Sequence, residues 1–174
     1  MLLTRNLATN QEKQAPSQSF PPIARADARI LILGSLPGQR SLQAGQYYAH
    51  PQNAFWKIMQ ALAGADGGYE QRCVALQDFG VALWDVLAES VRPGSMDADI
   101  RLDTIRPNNF AKLFRDCPEI SRVCFNGQKA ATLYERLVGL DADSIRFETL
   151  PSTSPAYAAM PYQEKLARWR AALE

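Results

Sequence analysis

One short segment of this 174-residue chain concentrates most of the side chains that could take part in chemistry. Between Gln46 and Trp56 lie two tyrosines, an asparagine, the chain's only histidine and a Phe-Trp pair. Asn53 offers both a donor and an acceptor, His50 can carry a proton, and Tyr48 offers an aromatic face. This combination fits a pocket that binds a flat, polar, uncharged ring.

The elements that position this segment can be predicted from the apolar pattern. Four short apolar segments bounded by turn residues are predicted as strands: Arg29–Gly34, Val81–Val86, Arg122–Asn126 and Ile145–Leu150. Helical patterns lie at Asn53–Ala63, Tyr69–Phe79, Asn109–Phe114, Gly127–Val138 and Tyr162–Leu173. Strands that alternate with helices predict an α/β fold with a parallel sheet covered on both faces. Ser90–Thr104 is predicted as a long connection of the kind that often carries function.

Each predicted strand ends in polar or turn-forming residues. The first ends in the turn Gly34–Gly38, the second in Asp85, the third in Asn126 and the fourth runs into Ser152–Ser154. Because the carboxyl ends of parallel strands lie at one edge of a sheet, we expect these residues to converge on one cleft. Each also fits a purely structural role, such as a tight turn or a helix N-cap. The prediction of a site therefore depends on their occurrence together.

Composition bounds the class of protein. The hydrophobic fraction of 47% and the formal net charge of +1 are ordinary for a globular domain and give no global signal for nucleic acid. Three unpaired cysteines and one histidine argue against a metal or iron–sulfur site and for a reducing compartment. We expect a cytoplasmic protein with no membrane span. We also expect a flexible extension over residues 1–19, followed by a single domain over residues 20–174.

The turn Gly34–Gly38 differs from the known nucleotide-binding loops. It lacks the third glycine of a dinucleotide fingerprint, no helix is predicted to follow it at once, and the chain has no Gly-x-x-x-x-Gly-Lys-Ser/Thr motif. A hydrolytic triad of Ser35, His50 and Asp85 is one alternative. Its weakness is that Ser35 precedes a Leu-Pro turn, which prepares no oxyanion hole.

Five segments together resemble the uracil-DNA glycosylase superfamily, and in particular its hypoxanthine-DNA glycosylase branch. They are Ile32–Gly38, Gln46–Trp56, Gly80–Val86, Phe125–Gly127 and Leu150–Ala156. The resemblance extends from about Phe20 to the C-terminus, and Tyr-Tyr-Ala-His-Pro-Gln-Asn-Ala-Phe-Trp is its specific part. It implies a three-layer α/β/α sandwich with a central four-stranded parallel sheet. It also implies a DNA glycosylase that uses no metal and no cofactor.

The resemblance implies which residues carry the chemistry. In most of the superfamily the first motif has an Asp or Asn that positions the attacking water, and this chain has Leu36 there. In the hypoxanthine branch the asparagine of the His-Pro-x-Asn block serves instead, which here is Asn53, with His50 beside it as a second catalytic candidate. Relatives often have an arginine at the next position, where this chain has Ala54, so that any DNA contact from there is lost.

The resemblance also implies the binding residues. Tyr48 corresponds to the aromatic side chain that stacks on the base, and Asn126 corresponds to a residue that reads the base edge. The remaining predicted contacts are to the base from Gly34 and Ser35, and to the phosphate and minor groove from Ser152, Thr153 and Ser154.

The implied partner is DNA that contains deaminated bases, namely hypoxanthine and possible further substrates uracil and xanthine. No motif indicates a lysine nucleophile, so we expect a monofunctional enzyme, acting as a monomer, that leaves an abasic site. Ala156 and Tyr157 are candidates for the side chain that fills the gap left by a flipped base. Two alternatives stay open: a catalytically silent domain that binds damaged DNA, which the missing group at Leu36 would explain, and the serine hydrolase.

Overall fold

The strands and helices lie close to the positions predicted for the main sheet and its layers. The structure, a computed structural model, describes residues 14–174. Its strands are β1 (Ser17–Gln18), β2 (Ile30–Gly34), β3 (Val81–Asp85), β4 (Leu87–Ser90), β5 (Arg106–Pro107), β6 (Arg122–Asn126) and β7 (Arg146–Leu150). Its helices are α1 (Gln39–Ala44), α2 (Phe55–Ala63), α3 (Tyr69–Asp78), α4 (Phe110–Asp116), α5 (Gln128–Leu137) and α6 (Tyr162–Leu173).

A four-stranded sheet forms the centre of the molecule. Its strand order is β3-β2-β6-β7, and all three neighbouring pairs are parallel. The strands β2, β3 and β6 are almost entirely buried, as expected for apolar strands covered on both faces. Gly34 pairs with Asp85, and Asn126 pairs with Leu150, so that the carboxyl ends of the four strands lie at one edge.

Helices cover both faces of this sheet. On one face, Phe55 of α2 lies edge-on to Trp169 of α6, and Trp56 of α2 lies edge-on to Tyr69 of α3. On the other face, Phe110 of α4 packs against α5 and against β3 through Trp84. The three-layer α/β/α prediction is therefore confirmed. No helix in the described part of the chain is long and apolar enough to cross a membrane.

The prediction that no helix follows the first turn is wrong. Helix α1 begins at Gln39, directly after Gly38. This helix has six residues and a single large apolar side chain, Leu42, so it carries no periodic pattern by which it could be predicted.

A small antiparallel sheet, β1-β4-β5, was also missed, because two of its strands have only two residues each. Residues 1–13 of the predicted N-terminal extension lie outside the described residues, whereas Ser17–Gln18 within it pairs with β4. Ordered structure thus begins before Phe20. Residues 91–105, called the 91–105 connection below, join β4 to β5.

Candidate functional site

A cleft of about 570 Å³ opens at the carboxyl edge of the central sheet. Its size is typical of a site for a small organic ligand. All nine side chains or backbone positions predicted for the site line this cleft: Gly34, Ser35, Tyr48, His50, Asn53, Asn126, Ser152, Thr153 and Ser154. The structure therefore brings the predicted residues together, while their individual roles stay predictions.

The floor of the cleft requires a glycine at the end of β2. A Cβ atom on Gly34 would lie 2.7 Å from Asp85 Oδ1 and 2.9 Å from the Tyr48 hydroxyl oxygen. Both distances are below any ordinary van der Waals contact, so a side chain here would displace one of the two groups. Gly34 thus allows an acidic group and a phenol to lie side by side against the backbone.

Tyr48 lines this cleft and carries a buried hydroxyl group beside its floor. Its ring stacks on Phe55 with centroids 4.2 Å apart, which fixes the ring plane. Its φ of 53° places it in the left-handed region that few non-glycine residues adopt. The hydroxyl is buried and has no hydrogen-bond partner among the described residues. Burial raises the pKa of Tyr48, so the hydroxyl remains a neutral donor at physiological pH.

Asp85 is the acidic group of the cleft floor. It is 3% exposed, and its Oδ2 accepts a hydrogen bond of 3.2 Å from the Ser19 hydroxyl. Burial raises the pKa of Asp85 to about 7, and the nearby Asp97 adds to this rise, whereas the Ser19 hydroxyl and the charge of Arg92 oppose it. Sequence reasoning treated Asp85 as a strand end and as a triad member only. The available signal was an acid that closes the otherwise apolar segment Val81–Asp85.

Asn53 binds the first residue of a helix as well as lining the cleft. Its Oδ1 accepts a hydrogen bond of 2.9 Å from the Phe55 backbone N–H at the start of α2. An amide oxygen can accept a second hydrogen bond, and no bond of the Asn53 amide nitrogen is found among the described residues. The neighbouring His50 accepts a hydrogen bond at Nδ1 from the Gln52 N–H, at 3.1 Å, so its neutral ring carries the proton on Nε2.

Asn126 holds another part of the cleft wall. Its Nδ2 donates to Thr153 Oγ1 at 2.8 Å, and its Oδ1 accepts from the Thr153 N–H at 2.9 Å. What the Asn126 side chain retains for a base edge is its second amide N–H and the second lone pair of Oδ1. Thr153 is 1% exposed, so that its hydroxyl faces Asn126 and not a phosphate in solution, unlike the half-buried Ser152 and Ser154.

The triad of the serine hydrolase is not formed. Ser35 donates its hydroxyl hydrogen to Asp97, at 2.5 Å. His50 bonds to Gln52 and Asp85 bonds to Ser19, and no hydrogen bond joins Ser35, His50 and Asp85 to each other within residues 14–174. The same range contains no cluster of three or more His, Cys, Asp or Glu side chains that could hold a metal ion.

The fold and this cleft define a class of protein. A parallel α/β sheet whose strand ends hold amides, hydroxyls, a stacked tyrosine and one buried acid has the features of a site for a flat heterocycle, as in enzymes that extrude a nucleobase. A family model, Uracil DNA glycosylase superfamily, matches residues 21–174. The chain belongs to this superfamily, as the sequence resemblance predicted.

Two curated relatives and one solved structure are similar over most of the chain. A hypoxanthine DNA glycosylase from Methanosarcina barkeri is 35% identical over 152 residues, covering 81% of this chain and 95% of the relative. One from Methanosarcina acetivorans is 35% identical over 142 residues, covering 80% and 87%. A solution NMR structure from M. acetivorans, described as a candidate uracil DNA glycosylase, superposes with a TM-score of 0.77 at 33% identity, covering 91% of this chain and 97% of that one.

Proposed function

We propose that this DNA glycosylase hydrolyses the N-glycosidic bond of deaminated bases, with hypoxanthine as its principal substrate, in base excision repair. The observation that carries the proposal is the pairing of an acceptor and a donor at the closed end of the cleft, Asp85 and the Tyr48 hydroxyl. The two curated relatives named hypoxanthine DNA glycosylase support the same substrate.

The pair matches the edge that deamination creates. Hypoxanthine presents an N1–H donor next to an O6 acceptor, where adenine presents an N1 acceptor next to an amino donor. Ionised Asp85 accepts the N1–H, and Tyr48 donates to O6. Adenine would set its N1 lone pair against the carboxylate, which leaves two buried acceptors facing each other at a cost of about 1–3 kcal/mol. Uracil and xanthine carry the same N–H and C=O pair.

Because Asp85 lies at the floor of the cleft, it can contact only the part of the nucleotide that enters the cleft first. A flipped base enters the cleft with the edge farthest from its sugar in front, so this edge reaches the buried floor. The sugar then lies nearer the mouth, where Asn53 and His50 are half-buried. The ring of Tyr48, held in place by Phe55, borders this path with its hydroxyl toward the base edge, so that in this proposal Tyr48 binds the base edge instead of stacking on the base face.

The reaction needs a positioned water and a stabilised leaving base. The water oxygen forms a bond to C1′ while the C1′–N9 bond breaks, and the bonding electron pair leaves with the base. The water loses one proton and the base anion gains one, so the products are an abasic site and neutral hypoxanthine. Asn53 Oδ1 retains an acceptor position for this water beyond its bond to Phe55.

The lining of the cleft supports a monofunctional mechanism. Strand cleavage by a glycosylase uses an amine, commonly that of a lysine, that forms a Schiff base with the sugar. No lysine lines the cleft within the described residues. The enzyme is therefore expected to stop at the abasic site.

Contacts with DNA outside the pocket come from the loop after β7. Ser152 and Ser154 are half-buried and can donate to phosphate oxygens without a net charge. Tyr157 lies at the cleft mouth with 41% of its surface exposed, and a large exposed aromatic side chain suits a wedge between base steps. Of the two wedge candidates we favour Tyr157, since Ala156 is too small to fill the gap left by a base.

A substrate panel tests the proposal. Purified protein is incubated with duplexes that contain one deoxyinosine, deoxyuridine, deoxyxanthosine or deoxyadenosine, and abasic sites are cleaved with alkali. We expect product from deoxyinosine and none from deoxyadenosine. Asp85→Leu, which removes both acceptor oxygens, should lower deoxyinosine excision about a hundredfold, whereas Asp103→Leu on the exposed surface should not change it.

The panel also separates the alternatives. Tight binding of an inosine duplex with no excision of any base would favour the silent damage-binding domain. Labelling by a fluorophosphonate probe that is lost in Ser35→Ala would favour the serine hydrolase. Equal excision of hypoxanthine by wild type and Asp85→Leu would refute the proposed reading of the base edge.

A further inference from the structure

Arg92 is a buried cation whose position next to the cleft is not explained by the roles above. It lies at the start of the 91–105 connection, lines the cleft and is only 2% exposed. Arginine is rarely buried to this extent, because its charge loses the solvation of water. A buried guanidinium therefore needs a reason in packing, in pairing or in chemistry.

Neutral oxygens hold most of this guanidinium. Its Nη2 donates to the backbone carbonyl oxygen of Leu36, at 3.1 Å, and to that of Pro37. Its Nη1 lies 3.6 Å from Asp97 Oδ1, which is beyond a direct hydrogen bond. Its Nε has no partner in the described part of the chain. Three carboxylates act on its charge, those of Asp97, Asp85 and Asp99, and Asp97 is half-exposed and also binds Ser35.

The two carbonyl bonds fix the turn that follows β2. Leu36 and Pro37 both line the cleft, and in a trans peptide the N–H points opposite to its carbonyl. Since the Pro37 carbonyl faces Arg92, the Gly38 N–H points away from the guanidinium. A second contact joins this turn to the 91–105 connection, because the Gln39 N–H donates to the Ser95 hydroxyl at 3.0 Å.

The charge of Arg92 also reaches the floor of the cleft. It favours the ionised form of Asp85, against the effect of burial and of Asp97. The other groups close to Asp85 are neutral, namely the Ser19 hydroxyl and the phenols of Tyr47 and Tyr48. Arg92 is therefore the one cation near Asp85 among the charged groups that influence it in the described structure.

We propose that Arg92 is a positioning residue for base excision, which fixes the 36–37 backbone through its carbonyl bonds and supplies the positive charge that offsets ionised Asp85 while negative charge builds up on the leaving base. The inference rests on the proposed function. When the C1′–N9 bond breaks, its electron pair enters the base, and the base carries a negative charge until it takes up a proton. A fixed cation in a site with little water stabilises that charge without having to reorganise.

A purely structural role would require only the hydrogen bonds and not the charge. Two variants separate these contributions. Arg92→Gln retains a neutral donor for the Leu36 and Pro37 carbonyls and removes the charge, whereas Arg92→Lys retains the charge and only one ammonium donor group. Arg101→Gln is the matched control, since it removes a positive charge from an exposed position of the same connection.

The experiment measures excision from an inosine duplex under single turnover with enzyme in excess, from pH 5.5 to 9, and DNA affinity by fluorescence anisotropy. We expect Arg92→Gln to slow excision about a hundredfold with DNA affinity changed less than threefold, and Arg92→Lys to stay within about tenfold of wild type. The pH midpoint of excision should move upward in Arg92→Gln only. Arg101→Gln should match wild type in rate and in midpoint.

Titration of the Asp85 carboxyl by NMR in the free protein gives a readout without catalysis. The pKa of the Asp85 carboxyl should be higher in Arg92→Gln than in wild type, and it should not rise in Arg92→Lys. The same spectra report directly whether each variant is folded. Rapid excision by Arg92→Gln with an unchanged midpoint would overturn the inference while leaving the proposed function intact. Failure of wild type to excise any base would overturn the proposed function, and the inference with it.

Discussion

Replacing Asp85 by asparagine should stabilise the protein at alkaline pH and remove the pH dependence of its activity. Burial raises the pKa of Asp85 from 3.8 to about 7 in the folded protein, so the ionised form is disfavoured by folding. The protonated carboxyl contributes stability that is fully present below about pH 4 and is lost as the pH rises to about 7. Asparagine has nearly the same shape and carries no charge.

The size of the effect follows from the two pKa values. One pKa unit corresponds to about 1.4 kcal/mol, so ionised Asp85 lowers the free energy of unfolding by about 4 kcal/mol at pH 8 and by less than about 2 kcal/mol at pH 5. The stability of Asp85→Asn relative to wild type should thus increase by about 2–3 kcal/mol between pH 5 and pH 8. Excision of hypoxanthine should rise through pH 7 in wild type and stay level in the variant, because asparagine keeps an acceptor oxygen that does not titrate.

Urea unfolding followed by circular dichroism at pH 5, 6, 7 and 8 measures the stability difference. Single-turnover assays at the same pH values measure the pH dependence of excision. Asp103→Asn is the control, because the Asp103 side chain is exposed. The stability difference between this variant and wild type should not change with pH by this amount. If the stability difference between wild type and Asp85→Asn were the same at pH 5 and pH 8, Asp85 would not be the buried titrating group described here.

Substitutions at three further positions probe the cleft. Asn53→Ala should lose about 1 kcal/mol of stability, because it removes the acceptor of the Phe55 N–H, and it should also lose excision activity. Asn53→Ser should recover the stability but not the activity. Urea unfolding and excision assays measure the two effects. Gly34→Ala should cost about 1–3 kcal/mol and lower excision at least tenfold, since its methyl group would collide with the cleft floor; normal activity would contradict that geometry. Tyr48→Phe removes a buried hydroxyl that has no partner, so its unfolding free energy should stay equal or rise by up to about 1 kcal/mol while hypoxanthine excision falls; a clear loss of stability would indicate a hydrogen bond that the structure does not contain.

The main sheet could be predicted from the sequence because its strands carry strong local signals. The segment Ile30–Gly34 is apolar on both faces and ends at a glycine, and Arg122–Asn126 has a buried apolar centre between its two polar ends. Helix α1 and the strand Ser17–Gln18 could not be predicted, because they are too short for any periodicity. Their formation depends on tertiary contacts, such as the pairing of Ser17–Gln18 with Leu87–Ser90.

The location of the site could be predicted from the sequence, whereas the hydrogen-bond partners of the individual residues could not. Topology alone places the strand ends together, so the cleft followed once the strands were known. The hydrogen bonds that commit Asn126 to Thr153 join residues 27 positions apart, and no local pattern encodes them. The same holds for Arg92, whose carbonyl partners lie more than 50 residues before it in the chain.

The most direct test of the central claim is to identify the released base. A duplex with a single deoxyinosine is incubated with the protein in water labelled with oxygen-18, and the products are separated and weighed by mass spectrometry. We expect free hypoxanthine without label and an intact strand whose abasic sugar has acquired one labelled oxygen. Recovery of the deoxyinosine strand unchanged under conditions where the protein binds it would contradict the account.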